Sequence, residues 1–114
     1  MWIFTPIGFF SVVAHRDDKR NVLVRARTSE DALALAEYIA QHQGTRPSVR
    51  RTPNADYAFR FITTRRALGE TLKRFVEEDL TYDNFKNEVA GVQGMGRADV
   101  YHEVWDVVRE GLQR

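Results

Sequence analysis

The run Val22-Leu23-Val24-Arg25-Ala26-Arg27, followed at once by Thr28-Ser29-Glu30-Asp31, restricts the fold more than any other segment. Strict alternation is the period of a β-strand with one apolar face, because side chains two positions apart point the same way. Val22, Val24 and Ala26 therefore face inward, and Leu23, Arg25 and Arg27 occupy the opposite face. Thr28 opens a capping box, in which its hydroxyl accepts from the Asp31 backbone N–H while the carboxylate reaches back. The strand thus runs straight into a helix, whose buried stripe is Ala32, Leu35, Ala36 and Ile39 and whose left-handed terminator is Gly44. The small alanines in that stripe favour close approach to a sheet.

The flanking segments extend the pattern. Trp2-Ile3-Phe4 and Phe9 to Ala14 are aromatic and β-branched, and Pro6 and Gly8 between them predict either one bent strand or two short ones. A polar turn over 16–21 makes a hairpin with the 22–27 strand. A second hairpin is predicted from Ser48–Thr52 and 57–63 around Pro53-Asn54-Ala55-Asp56, with Tyr57, Phe59 and Phe61 on one face and Arg60 on the other. Leu68, Leu72, Phe75, Val76 and Leu80 give a helix over about 64–80. A short helix is expected around Tyr82, Phe85 and Val89, then a flexible glycine connection over 90–97. The last helix carries a wide, buried stripe of Tyr101, Trp105, Val108 and Leu112. The expected fold is α+β, a single domain over 1–114. Two β-hairpins build a mostly antiparallel sheet with helices on one face, in the order ββαββα plus C-terminal helices.

Composition narrows the chemistry. The 114 residues include no cysteine, which excludes disulfides, thiolate metal sites and a thiol nucleophile. No apolar run is long enough to cross a membrane and no secretion signal is evident, so a cytoplasmic protein without membrane partners is expected. The formal net charge of +1 conceals a separation. The strand segments, 1–27 and 45–66, carry eleven basic against three acidic residues, whereas the helical segments carry six against thirteen. Charge therefore divides by structural layer.

Met1-Trp2-Ile3-Phe4-Thr5, Gly8-Phe9-Phe10-Ser11-Val12-Val13, Val24-Arg25-Ala26-Arg27, Tyr82 to Lys86 and the closing Tyr101, Val104 and Trp105 together resemble a group of small bacterial proteins. The chain has Ala58 where that group has a proline after its tyrosine. The resemblance implies a stand-alone domain and no particular activity.

Candidate sites follow from the residues. His15, His42 and His102 fall on separate elements and do not form a metal set by spacing, and no cofactor is implied. His102 and Asp106, one turn apart, read as an exposed polar pair. Ser11 lacks the glycines of a nucleophile elbow, and Gly91, Gly94 and Gly96 lack the order of a dinucleotide loop. Glu77, Glu78, Asp79 and Asp83 read as a solvated helix end. The strongest lead is the cationic strand face, Arg25, Arg27 and Arg60, suited to phosphate or carboxylate. Phe9 or Phe10 beside it could supply a stacking platform. The ordinary alternative is that arginine stems merely cover a solvent-facing sheet. Tyr57-Ala58-Phe59 partly resembles the aromatic strand of RNA-recognition-motif proteins, but burial of Tyr57 and Phe59 in the core is expected instead.

A second constellation is Tyr82, Asn84 and Lys86, near Tyr101 and His102, where a small ligand could be oriented, unless Asn84 simply braces a turn. The leading expectation is a non-enzymatic binding or regulatory module that engages nucleic acid or an acidic protein through Arg25, Arg27 and Arg60. The alternatives are a small enzyme or ligand-binding protein at the second constellation, and a homodimeric interaction protein. A mobile-element accessory protein fits the size.

Overall fold

The computed structural model describes residues 1–113 and is α+β, with four α-helices and one five-stranded antiparallel sheet. The strands are β1 (Trp2–Thr5), β2 (Gly8–Ala14), β3 (Asn21–Ala26), β4 (Arg50–Arg51) and β5 (Phe59–Thr64). The helices are α1 (Ser29–Gln43), α2 (Arg65–Arg74), α3 (Phe85–Gln93) and α4 (Met95–Leu112). Strand order is β1-β2-β3-β5-β4. The chain divides into two compact units, one formed by Met1–Phe4 with Gly8–Thr81 and the other by Thr5–Ile7 with the chain from Tyr82 onward.

The first unit is built as the 22–31 run demands. Val22, Val24 and Ala26 are buried together with Phe10, Val12 and Phe61, and α1 packs across β2, β3 and β5 with Ala32, Leu35, Ala36 and Ile39 inward. Thr28 caps α1 by accepting from Asp31 N at 3.2 Å, and Gly44 ends it in the left-handed region at φ 79°. The Asp31 carboxylate, 3% exposed, accepts from Phe9 N at 3.0 Å and so ties the helix start to β2. Gly8 lies against it: a Cβ at Gly8 would sit 2.7 Å from Asp31 Cγ. A side chain there cannot be accommodated without displacing the carboxylate.

The 1–14 segment resolves into two strands joined at Pro6-Ile7. The β4 strand, Arg50–Arg51, is shorter than the expected 48–52, although Thr52 N still donates to Ala58 O at 2.7 Å. Thr64 caps α2 by accepting from Ala67 N at 2.9 Å. The helix expected over 64–80 stops at Arg74 and continues as one π-helical turn, Phe75–Asp79, closed by Leu80 N donating to Phe75 O at 2.9 Å. Leu68 and Thr71 are buried, whereas Val76 and Leu80 are exposed, so the apolar face is not continuous.

In the second unit, the connection expected to be flexible over 90–97 is mostly helical. Gly91 lies inside α3 and Gly96 inside α4, leaving Gly94, at φ 95°, as the break between them. Helix–helix packing here outweighs the roughly 1 kcal/mol that an interior glycine costs. Phe85 stacks on Tyr101 at 5.7 Å between centroids. Gln93 Nε2 and Tyr101 Oη donate to the carbonyls of Pro6 and Thr5. The stripe on α4 is not the buried one expected. Ala98 and Tyr101 are buried, but Trp105, Val108 and Leu112 are 52%, 49% and 81% exposed. Periodicity specifies a helix with an apolar side, and it does not specify a neighbour to cover that side.

Two glycines give opposite expectations. Gly8→Ala should lower the urea-unfolding free energy by about 1–3 kcal/mol, the cost of forcing a methyl group into a filled site. Gly91→Ala, with nothing within 4 Å of its Cβ, should raise it by roughly 0.5–1 kcal/mol.

Candidate nucleic-acid interface

Antiparallel pairing fixes which residues stand side by side. Ser11 is opposite Arg25, Arg25 is opposite Arg60, and Arg60 is opposite Arg50. Directly paired residues point to the same face, so Arg25, Arg60 and Arg50 form a row across β3, β5 and β4. That face is opposite the one α1 covers. Among the described residues, no carboxylate pairs with any of the three.

Neutral oxygens hold two of them. Arg25 Nη2 donates to Ser11 Oγ at 2.8 Å, while its Nε is buried without a partner. Arg60 Nε donates to Thr52 Oγ1 at 3.1 Å and its Nη2 to Tyr57 O at 3.3 Å. The Thr52 hydroxyl in turn donates toward the Tyr57 and Ala58 carbonyls, at 3.1 and 3.3 Å, which closes the 52–58 loop. A guanidinium has five N–H donors, so each retains several after these bonds. The side chain of Arg50 is exposed.

Arg27 belongs to this group only in part. Its Nη1 is 3.1 Å from Asp56 Oδ1, an exposed ion pair that neutralises its charge locally. Its guanidinium also lies over the Tyr57 ring, 4.5 Å from the centroid, as does that of Arg25 at 4.8 Å. Tyr57 therefore does not share a face with Phe61 as the 57–63 alternation suggested. It precedes β5, in a loop where strand alternation no longer applies, and its ring, 6% exposed, is roofed by two cations. Arg25, Arg27 and Arg60 all engage Tyr57, by ring or by carbonyl. Part of their role is thus to order the 52–58 loop.

The aromatic residues divide as alternation requires. Phe10 is core, 1% exposed, and cannot stack with a ligand. Phe9, on the row's face, stacks on Phe4 at 4.5 Å and meets Trp2 edge-on at 5.8 Å. Arg50 and Trp2 were not singled out in the sequence. Arg50 is one of two adjacent arginines, and only the Arg50–Arg60 pairing tells it from Arg51. Trp2 had a usable signal, since it alternates with Phe4.

In the second constellation, each side chain has its own partner. Asn84 caps α3, its Oδ1 accepting from Asn87 N at 3.0 Å, which is the bracing role. Tyr82 packs near Phe85, and burial, then the Glu88 charge, raises its pKa above the usual phenol value. Lys86 Nζ is 3.0 Å from His102 Nδ1 and lies over the Trp105 ring. A lysine ammonium only donates, so His102 Nδ1 accepts and its other nitrogen carries the proton toward Asp106, 3.4 Å away. In the acidic segment, Glu78 pairs with Arg74 at 3.0 Å and Asp79 accepts from the Tyr38 hydroxyl. No grouping of three metal-ligating side chains occurs among the described residues, and no described helix is long and apolar enough to cross a membrane.

Comparison with known proteins returns no match: no family model fits the sequence, no curated protein aligns with it, and no solved structure matches its fold.

Tyr57→Leu should lower stability by about 1–2 kcal/mol through loss of the two cation–ring contacts. Tyr57→Phe, which keeps the ring, should unfold at nearly the parent's urea concentration. Equal losses in both variants would show that the ring–arginine contacts contribute nothing. Tyr38 gives a pH test. Partial burial, then the Asp79 hydrogen bond, raises its pKa far above 10. Its neutral form is therefore favoured by folding. The associated stability should be complete below pH 10 and decline as pH rises through the folded-state value. In an absorbance titration, Tyr38→Phe should remove a phenol that ionises far above pH 10.

Proposed function

We propose that the chain is a non-enzymatic binding module that uses the Arg25–Arg60–Arg50 row, with Arg27 at its margin, to hold a polyanionic partner. The observation that carries this reading is three in-register arginines on adjacent strands with no carboxylate partner among the described residues. Like charges directly opposite one another in a sheet are destabilising. A charged row serving solubility alone works as well when its residues alternate in sign. A sequence that leaves this repulsion uncompensated has a local cost that an external anion removes.

Two further features support the reading. The guanidinium groups of Arg25 and Arg60 are held by Ser11, Thr52 and the Tyr57 carbonyl, so little side-chain freedom remains to be lost on binding. Their acceptors are neutral and leave the charge undiminished. Phosphate or carboxylate oxygens suit the forked donors that remain.

The protein should be retained on heparin, and its affinity for a labelled heparin oligosaccharide should fall linearly in log K against log salt. Arg50→Gln removes an exposed side chain with no hydrogen bond to the described residues and should lower that slope by about 0.8, one released counterion. Adding Arg60→Gln should lower it again. An unchanged affinity and slope in the double variant would eliminate the arginine row as the binding surface.

A further inference from the structure

The line of residues across the sheet does not end at the arginines. The backbone of Met1 donates to Val12 O and accepts from Val12 N, both at 2.8 Å. This exchange sets Trp2 opposite Ser11, and Ser11 is opposite Arg25. One register line therefore reads Trp2, Ser11, Arg25, Arg60, Arg50 over all five strands. With strands about 4.8 Å apart, Trp2 is roughly 10 Å from Arg25 and the line spans roughly 19 Å.

Trp2 is 67% exposed, and its ring stands at 85° to that of Phe9, which in turn stacks on Phe4. One aromatic neighbour, Phe9, itself backed by Phe4, thus meets an indole most of whose surface is open to solvent. Cations alone suit any polyanion, and an indole alone suits any apolar group. The two on one sheet face, roughly 10 Å apart, match a chain that carries phosphates and planar bases together. In a duplex the bases stack on each other and their faces are closed to a side chain, whereas a single strand offers them.

Resting on the binding role proposed above, we infer that the ligand is single-stranded nucleic acid, its phosphates on the Arg25–Arg60–Arg50 row and a base stacked on Trp2. Phe9, one of the two phenylalanines expected as a possible platform, meets Trp2 edge-on and supports it rather than meeting the base itself. An acidic protein would use the arginines equally well and leave the indole idle, which gives the test its discrimination.

The test uses a labelled twelve-residue oligo-dT, a duplex of the same length, and the heparin oligosaccharide. In a Trp105→Phe protein, where Trp2 is the sole indole, oligo-dT should quench tryptophan fluorescence on binding. Trp2→Ala should weaken oligo-dT by about ten- to a hundredfold, Trp2→Phe should recover most of the loss, and both should bind heparin as the parent does. Unchanged oligo-dT affinity in Trp2→Ala, absence of quenching, or equal affinity for the duplex would overturn the inference. If Arg50→Gln still weakened heparin binding in that case, the polyanion role would stand without it. Failure of the parent to bind either heparin or oligo-dT would remove both.

Discussion

The pairing of β3 with β5 sets nearly everything else in the first unit. In one register, Val24 meets Phe61 beneath α1 while Arg25 meets Arg60 on the far side. A slip of one residue would exchange the faces, bringing arginines under the helix and valines to the outside. Burial of Val22, Val24, Ala26 and Phe61 thus enforces the arginine row. The row needs no attraction between its members, because the hydrophobic energy on one face holds the cations together on the other. The Asp31 bond to Phe9 N adds a second lock, fixing β2 against the start of α1 and requiring glycine at position 8.

Much of this unit is readable from local pattern. Alternation over 22–27, the Thr28 cap and the Gly44 stop are properties of a few consecutive residues, and each is found where those residues place it. The sequence is less informative where the outcome depends on a partner distant in the chain. Tyr57 follows strand alternation on paper, yet it lies in a loop whose shape is set by Thr52 and Arg60. Gly91 and Gly96 mark a break by propensity, yet aromatic packing between Phe85 and Tyr101 accompanies helix through both. The α4 stripe has the right period for burial and remains largely exposed beyond Tyr101.

The candidate site divides in the same way. Arg25 and Arg27 could be placed on one face from six residues, and Arg60 on an outward face from seven. That Arg25 and Arg60 are direct neighbours requires the order β3-β5, which follows from no local signal. Arg50 enters only through cross-strand register, whereas Trp2 alternates with Phe4 in the sequence. Of the second constellation, Asn84 was legible as a cap because capping is local. The partner of Lys86 was not, since His102 lies on another helix.

The atoms that hold Arg25 and Arg60 in place have a regulatory corollary. A serine hydroxyl, a threonine hydroxyl and a peptide carbonyl neither gain nor lose protons under physiological conditions, and a guanidinium stays cationic throughout. An anion held on these donors would therefore compete with salt for them, so ionic strength and rival anions would set its occupancy.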